Sequence, residues 1–270
     1  MNAHSNAAAT STPGLPLADR HAVVTGGAGG IGAATAAALL RAGARVTLMG
    51  RDAARLEARR AGLGRDDAVT CVSVDVADEA AVEAAFAEAA ARLGPVGLLV
   101  NSAGAAQAAP FAKTDLALWR RMLDVNLTGA FLCSRTVLPD MLERGDGRIV
   151  NVASTAGLTG YAYVAAYCAA KHGVIGLTRA LAREVATRGV TINAVCPGYT
   201  ETELLQASLD QIVSQTGRSE AEARAALMRE NPQQRFVRPE EVADAVLWLC
   251  APGSAAITGQ SVSVSGGETV

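Results

Sequence analysis

Tyr167 and Lys171 stand four residues apart in the segment YCAAK, a spacing that stacks two side chains on one face of a helix. Ser154 ends the apolar run IVNVAS that precedes them, where it can meet the pair across a Gly-punctuated loop. A phenol keeps its proton up to about pH 10, so it is a poor base at neutral pH. A neighbouring ammonium favours the phenolate by Coulomb attraction and lowers that cost. Phenol, ammonium and hydroxyl together make a proton-transfer device suited to a carbonyl or alcohol oxygen. Y-x-x-x-K alone arises in many helices with no chemistry attached. The surrounding elements therefore have to decide whether the trio is a site.

The first of these elements is the run HAVVT from His21 to Thr25, which reads as a buried strand. It passes into GGAGGIG and then the helical pattern AATAAALLRAG, ending at Gly43. Strand, glycine turn and helix in that order form a phosphate site, because backbone N–H groups and a helix N-terminus face a pyrophosphate unobstructed by Cβ atoms. The register is open: Gly27, Gly29 and Gly32 satisfy GxGxxG, Gly26, Gly29 and Gly32 satisfy GxxGxxG, and Gly26, Gly30 and Gly32 satisfy GxxxGxG. A structural turn with no ligand is the competing reading.

A second strand, ARVTLMG, is followed by Arg51 and a charged helix from Asp52 to about Arg60. An acidic residue at this strand's end holds a ribose 2′-hydroxyl, whereas an arginine accommodates a 2′-phosphate. Here Gly50 takes the acidic position and Arg51 follows, so the pattern points to NADP(H) over NAD(H). Asp52 is expected to cap the helix. AVTCVSVDV delivers Asp75 and Val76 to a carboxyl edge, and Asp78 opens an Ala-rich helix. The fourth strand ends in the small-residue turn Asn101-Ser102-Ala103-Gly104.

Asp115 to Pro139 reads as one long helix, with Asn126 in its middle among apolar neighbours. An amide is unfavourable there unless it bonds something specific, either a neighbouring backbone carbonyl or a site. GRIVNVAS and VTINAVCPGYTET supply strands five and six, the latter ending in Pro197, Gly198 and two threonines. The amphipathic stretch from Leu204 to Arg229 suggests two short helices around Gly217, placed as a lid at a strand's carboxyl end. Pro239 starts another helix, and GQSVSVSGG closes the sheet.

Composition bounds the answer. The 270 residues suit one α/β domain, and half are hydrophobic, with abundant Ala and Gly but only four Phe and four Tyr. Close-packed helices on a buried sheet follow. A net charge of −2 with interspersed signs offers nothing to nucleic acid or anionic membrane. No apolar run approaches the roughly 20 residues of a membrane span. The five cysteines show no CxxC spacing and the three histidines no cluster, which points to buried thiols in a reducing, cytoplasmic compartment and to no metal site. Residues 1–17 are expected to be a disordered tail, without the marks of a signal peptide.

Taken together, TGGAGGIG from Thr25 to Gly32, Asp75-Val76, the NSAG turn, Asn126, Ser154, YCAAK and PGYTET from Pro197 to Thr202 resemble the short-chain dehydrogenase/reductase family over about residues 18 to 267. Ser102 departs from the pattern, where a second Asn is usual. The resemblance implies a single Rossmann-type domain from residue 18 to 270: a doubly wound, seven-stranded parallel sheet with helices on both faces and a lid over about residues 203 to 236. It selects Gly26, Gly30 and Gly32 as the glycine register, with Ile31 in the same turn. It implies a catalytic tetrad of Asn126, Ser154, Tyr167 and Lys171. In it Tyr167 donates or accepts the proton, Ser154 holds the substrate oxygen, Lys171 lowers the tyrosine's pKa and grips the ribose, and Asn126 holds a relay water. Arg51, Asp75, Val76, Asn101, Ala103, Gly104, Pro197, Gly198 and Thr202 would contact the cofactor, with Tyr167 and Lys171. Tyr161 and Tyr163 lack a lysine four residues on. A homotetramer assembled through the helices near Asn126 and Tyr167 is also implied.

The lid resembles that of 3-hydroxybutyrate dehydrogenases, while GRIVNVASTAG and AAKHGVIGLTRAL resemble polyketide and acyl-thioester ketoreductases. The polar side chains that grip a carboxylate in the former are replaced here by Ala106, Ala156 and Val164. An unpaired buried carboxylate costs several kcal/mol, so the expectation is a 3-oxoacyl thioester or a neutral cyclic ketone reduced with NADPH. NAD-dependent oxidation of a 3-hydroxyacyl-CoA or hydroxy acid is the alternative, and a non-catalytic NADP-binding regulator a more remote one.

Overall fold

The computed structural model describes residues 14–65 and 67–269. Seven short apolar runs form strands: β1 His21–Thr25, β2 Arg45–Gly50, β3 Val69–Ser73, β4 Val96–Asn101, β5 Gly147–Val152, β6 Val190–Pro197 and β7 Ser261–Val264. They pair in the order β3-β2-β1-β4-β5-β6-β7, and every pair is parallel. Parallel neighbours need crossovers, and these are helices that cover both faces. The chain leaves β1 in one direction towards β3 and returns on its other side with β4. That reversal opens a crevice at the carboxyl ends of β1 and β4.

The two faces follow from strand alternation. Val24, Leu48 and Val195 point to one side and bury against Leu39, Leu56 and Val246. Those three side chains come from α1 (Gly30–Arg41), α2 (Ala53–Leu63) and α9 (Pro239–Cys250). Val23, Leu99 and Ile192 point to the other side and bury against Phe86, Val137 and Ala182. These come from α3 (Glu79–Leu93), α5 (Gly129–Arg144) and α6 (Ala165–Glu184).

Local chemistry sets the helix ends. Asp52 and Asp78 act as the expected N-caps, accepting from the N–H groups of Arg55 and Ala81 at 3.0 Å each. Pro239 begins α9 in its first turn. The segment after β6 forms α7 (Glu203–Thr216) and α8 (Glu220–Met228), and Gly217 ends α7 in the left-handed conformation at φ 68°.

Two boundaries differ from expectation. The helix expected over Asp115 to Pro139 is three pieces: α4 (Leu116–Leu123), a π-helical turn Asp124–Thr128, and α5, which runs on to Arg144. Pro139 does not stop it. The residue is exposed, so the carbonyl left without its N–H partner faces solvent, while buried Met141 anchors the last turn. At the other end of the chain, residues 1–13 of the expected tail lie outside the described residues. Leu17, counted with that tail, is fully buried, and its N–H donates to Ala42 O at 2.9 Å.

Candidate active site

Ser154 lies two residues past β5, in extended backbone, and its Oγ accepts from Ala156 N at 3.1 Å. That bond holds the hydroxyl where it faces the first turn of α6, in the neighbourhood of the Tyr167 phenol. Lys171, one turn further along, is buried, and its Nζ donates to Val152 O at 2.9 Å. The ammonium sits 5.6 Å from the centre of the Tyr167 ring. Burial pushes the Tyr167 phenol up to about 12, against the smaller opposing pull of the Ser154 bond. Burial likewise pulls Lys171 down to about 8. Sequence reasoning expected the lysine to lower the tyrosine's pKa. In the free site burial is the largest influence on the phenol and raises its pKa, while the ammonium, over the ring, is tied to a carbonyl.

The glycine turn resolves its own register. Gly26 has φ 65°, and a Cβ there would fall 2.8 Å from Ser102 O. Added Cβ atoms would meet Thr202 Cγ2 at 2.8 Å from Gly30 and Gly26 O at 2.3 Å from Gly32. At Gly29 the nearest atom is 3.4 Å away, an ordinary contact. At Gly27 an added Cβ would meet Leu48 Cβ at 3.0 Å. Gly29 alone of the five has room, which disfavours the two registers that use it and leaves Gly26, Gly30 and Gly32. The N-terminus of α1 has no side-chain cap, which leaves its N–H groups for an anion.

These groups open onto one cavity of about 1050 Å³. Its lining includes Gly26, Gly30, Ile31, Gly32, Arg51, Asp75, Val76, Ala103, Gly104, Asn126, Ser154, Tyr167, Lys171, Pro197, Gly198 and Thr202. Asn101 is the expected contact that does not line it. Its Nδ2 turns inward to Asn151 Oδ1 at 2.8 Å and Ser134 Oγ at 3.1 Å. A glycine cradle at a helix N-terminus, with an arginine beyond β2, fits a dinucleotide along this cavity. The remaining lining sets apolar Ala105, Ala106, Ala156 and Val164 among polar groups such as Thr155, Tyr161 and Gln211.

Residues 20–212 match the short chain dehydrogenase family. The chain belongs to that family. This dehydrogenase is 41% identical over 248 residues to 2-(S)-hydroxypropyl-CoM dehydrogenase 3 of Xanthobacter autotrophicus, covering 91% of this chain and 95% of the relative. It is 40% identical to the cis-4-hydroxycyclohexanecarboxylate dehydrogenase of Sinomonas cyclohexanicum, covering 95% and 99% of the two chains. Among solved structures, a single-substitution variant of actinorhodin polyketide ketoreductase with NADPH superposes with a TM-score of 0.89 at 39% identity, covering 93% of this chain and 97% of that one. The chain is therefore an oxidoreductase of the short chain dehydrogenase family with a nicotinamide-cofactor fold.

Several groups in the dehydrogenase's site escaped sequence reasoning. Thr25 Oγ1 accepts from both Ser102 N and Ala103 N at 3.1 Å. The NSAG turn is thus held through its backbone, which explains why Ser in place of Asn leaves it intact. Gln211 of α7 bonds both the N–H and the carbonyl of Ala108, at 3.4 and 2.7 Å, latching α7 to the loop after β4. Glu203 pairs with Arg55 and, at 3.8 Å, with Arg59, joining the start of α7 to α2. None of these pairings has a local spacing that a sequence displays.

Asn126 lies in the π turn and stitches it to that loop. Its Nδ2 donates to Ala105 O at 2.8 Å and Met122 O at 2.9 Å, and its Oδ1 accepts from Ala105 N at 3.3 Å. Both amide protons are taken, so the side chain holds the loop in place. Asn126→Ala leaves these buried backbone groups unpaired, and we expect a loss of about 1–3 kcal/mol in stability. Urea denaturation checks this, and an unchanged midpoint would rule the stitch out.

Proposed function

We propose that this short chain dehydrogenase reduces a neutral ketone with NADPH, its substrate being a 3-oxoacyl thioester or a neutral cyclic ketone. The observation that carries the reading is that Ser154, Tyr167 and Lys171 line one cavity together with Ala106, Ala156 and Val164, which offer a substrate carboxylate no partner. The nicotinamide cofactor supplies the hydride. Tyr167 gives its proton to the substrate oxygen, and its raised pKa keeps that proton available at neutral pH. Ser154 donates a hydrogen bond to the same oxygen and fixes it beside the phenol. Lys171, charged below about pH 8, stabilises the phenolate left behind. Asn126 acts through the loop that it holds at Ala105.

NADPH preference rests on Arg51, exposed on the cavity rim after Gly50, with the neighbouring Asp52 carboxylate engaged as the cap of α2. Arg55 lines the same rim. A charge-assisted bond to a phosphate contributes about 1.5–3 kcal/mol. Arg51→Ala should therefore raise the Kd for NADPH by on the order of 10- to 100-fold and leave that for NADH nearly unchanged. Fluorescence titration with both cofactors tests it. Equal losses for the two would remove the 2′-phosphate reading.

We assign the lid to about residues 203 to 236, with α7 latched through Gln211 and closed on a small core of Leu205, Leu209, Ala223 and Phe236. A homotetramer is in keeping with Phe131, an exposed aromatic on α5. Light scattering that finds a stable monomer would contradict it. A cytoplasmic setting suits five free thiols.

The second reading, NAD-dependent oxidation of a hydroxy acid, is favoured by Arg218. It lines the cavity from the turn between α7 and α8, a cation that a carboxylate could meet. Rates with a 3-oxoacyl thioester and with the corresponding free 3-oxo acid separate the two readings.

A further inference from the structure

Glu268 lies in the turn that follows β7, remote in sequence from the cavity yet placed against its wall. Its Oε1 accepts from the phenol of Tyr161, and the same phenol oxygen is 2.9 Å from Thr155 Oγ1. A phenol has one proton. With Glu268 ionised, Tyr161 donates to the carboxylate and accepts from the Thr155 hydroxyl, which makes a directed chain of three groups. The other carboxylate oxygen, Oε2, is buried and has no hydrogen-bond partner among the described residues. It lies over Gly198, where a Cβ would come within 2.5 Å of it.

Such a carboxylate is costly unless it fixes something. Burial raises the Glu268 pKa, opposed by the Tyr161 bond and reinforced by the Glu230 carboxylate. Tyr161 is raised in turn, first by burial and next by its bond to Glu268. The Tyr161 ring lines the cavity together with Ala156 and Tyr199. It meets the Tyr199 ring edge-on, with centroids 6.3 Å apart. Thr155 directly follows Ser154, so this aromatic wall stands beside the hydroxyl that holds the substrate oxygen.

We propose that Glu268 is a positioning residue for substrate selection: it clamps Tyr161 against Thr155 and thereby sets the bulk that the cavity accepts beside Ser154. The turn after β7 then controls the site through one phenol. This rests on the ketone-reduction reading.

The test compares cyclohexanone with 4-tert-butylcyclohexanone, which share a reacting carbonyl and differ in bulk. Values of kcat and KM are measured for the wild type, Glu268→Ala, Glu268→Gln, Tyr161→Phe and the Glu268→Ala/Tyr161→Phe double variant. Glu268→Ala should change the ratio of kcat/KM for the two ketones by about tenfold, mainly through KM. Glu268→Gln keeps an acceptor for the phenol and should retain the wild-type ratio. Tyr161→Phe should shift the ratio in the same direction as Glu268→Ala. The double variant should shift it no further than either single change, as expected for two residues that act through one bond.

A folded Glu268→Ala enzyme with an unchanged ratio overturns the proposal, and so do additive single effects. A near-ultraviolet alkaline titration provides a readout free of turnover. One phenol should ionise at lower pH in Glu268→Ala than in the wild type, and that phenol should be missing from Tyr161→Phe. If the wild type binds NADPH but reduces neither ketone, it is the reduction reading that fails. The titration then decides the clamp, and an unshifted phenol overturns it.

Discussion

Replacing Tyr167 with phenylalanine lowers kcat for ketone reduction by on the order of 10³-fold, the scale of a lost general acid, with cofactor affinity nearly unchanged. The ring still fills its place in the first turn of α6, and only the hydroxyl is removed. The glycine cradle and Arg51 remain, so a fluorescence titration should find NADPH bound as before. The phenol's position explains the size of the effect. It lines the cavity beside Ser154, and its pKa of about 12 keeps it protonated across the working range. Rates that survive the substitution would move the proton donor elsewhere.

The second large effect concerns Lys171 and carries a sign that can be worked out. Burial lowers its pKa to about 8, so the ammonium is present below that pH and lost above it. Ketone reduction leaves a phenolate at Tyr167, which the ammonium stabilises from over the ring. The rate of reduction should therefore be level at lower pH and fall as pH rises through about 8. Lys171→Met should lower kcat/KM by about 10²-fold and abolish that falling limb, leaving a flat profile. The reverse reaction, which needs the phenolate as a base, should instead gain from rising pH. A pH–rate profile of wild type and variant checks all of this. A limb that persists in Lys171→Met would belong to another group.

The parts legible in the sequence are those written in local spacing. Short apolar runs as buried strands, Asp52 and Asp78 as caps, Gly217 between two lid helices and Tyr167 four residues before Lys171 all follow from the character of an element or the chemistry of its ends. The glycine register was different: three readings satisfied the spacing, and only tertiary neighbours such as Ser102 O and Thr202 Cγ2 separate them. Contacts across the fold were invisible for the same reason. Thr25 under the NSAG turn, Gln211 on Ala108 and Glu268 on Tyr161 join residues 77, 103 and 107 positions apart.

Burial also reversed a sign. Y-x-x-x-K implies a lysine that acidifies its tyrosine, a sound rule for two groups in a polar setting. In this site both groups are desolvated, and the phenol rises while the ammonium falls. A sequence shows which charges are neighbours but not how much water they retain. The π turn at Asn126 is a further example, since its extra residue is accommodated by bonds to Ala105 that lie across the cavity edge.

The most direct test is a single-turnover experiment in which excess enzyme loaded with NADPH is mixed with a 3-oxoacyl thioester. Nicotinamide absorbance and product are followed together. The account predicts loss of the NADPH signal matched one for one by the 3-hydroxyacyl thioester. A complex that holds NADPH yet leaves the thioester unreduced, while turning over the free 3-oxo acid, would contradict it.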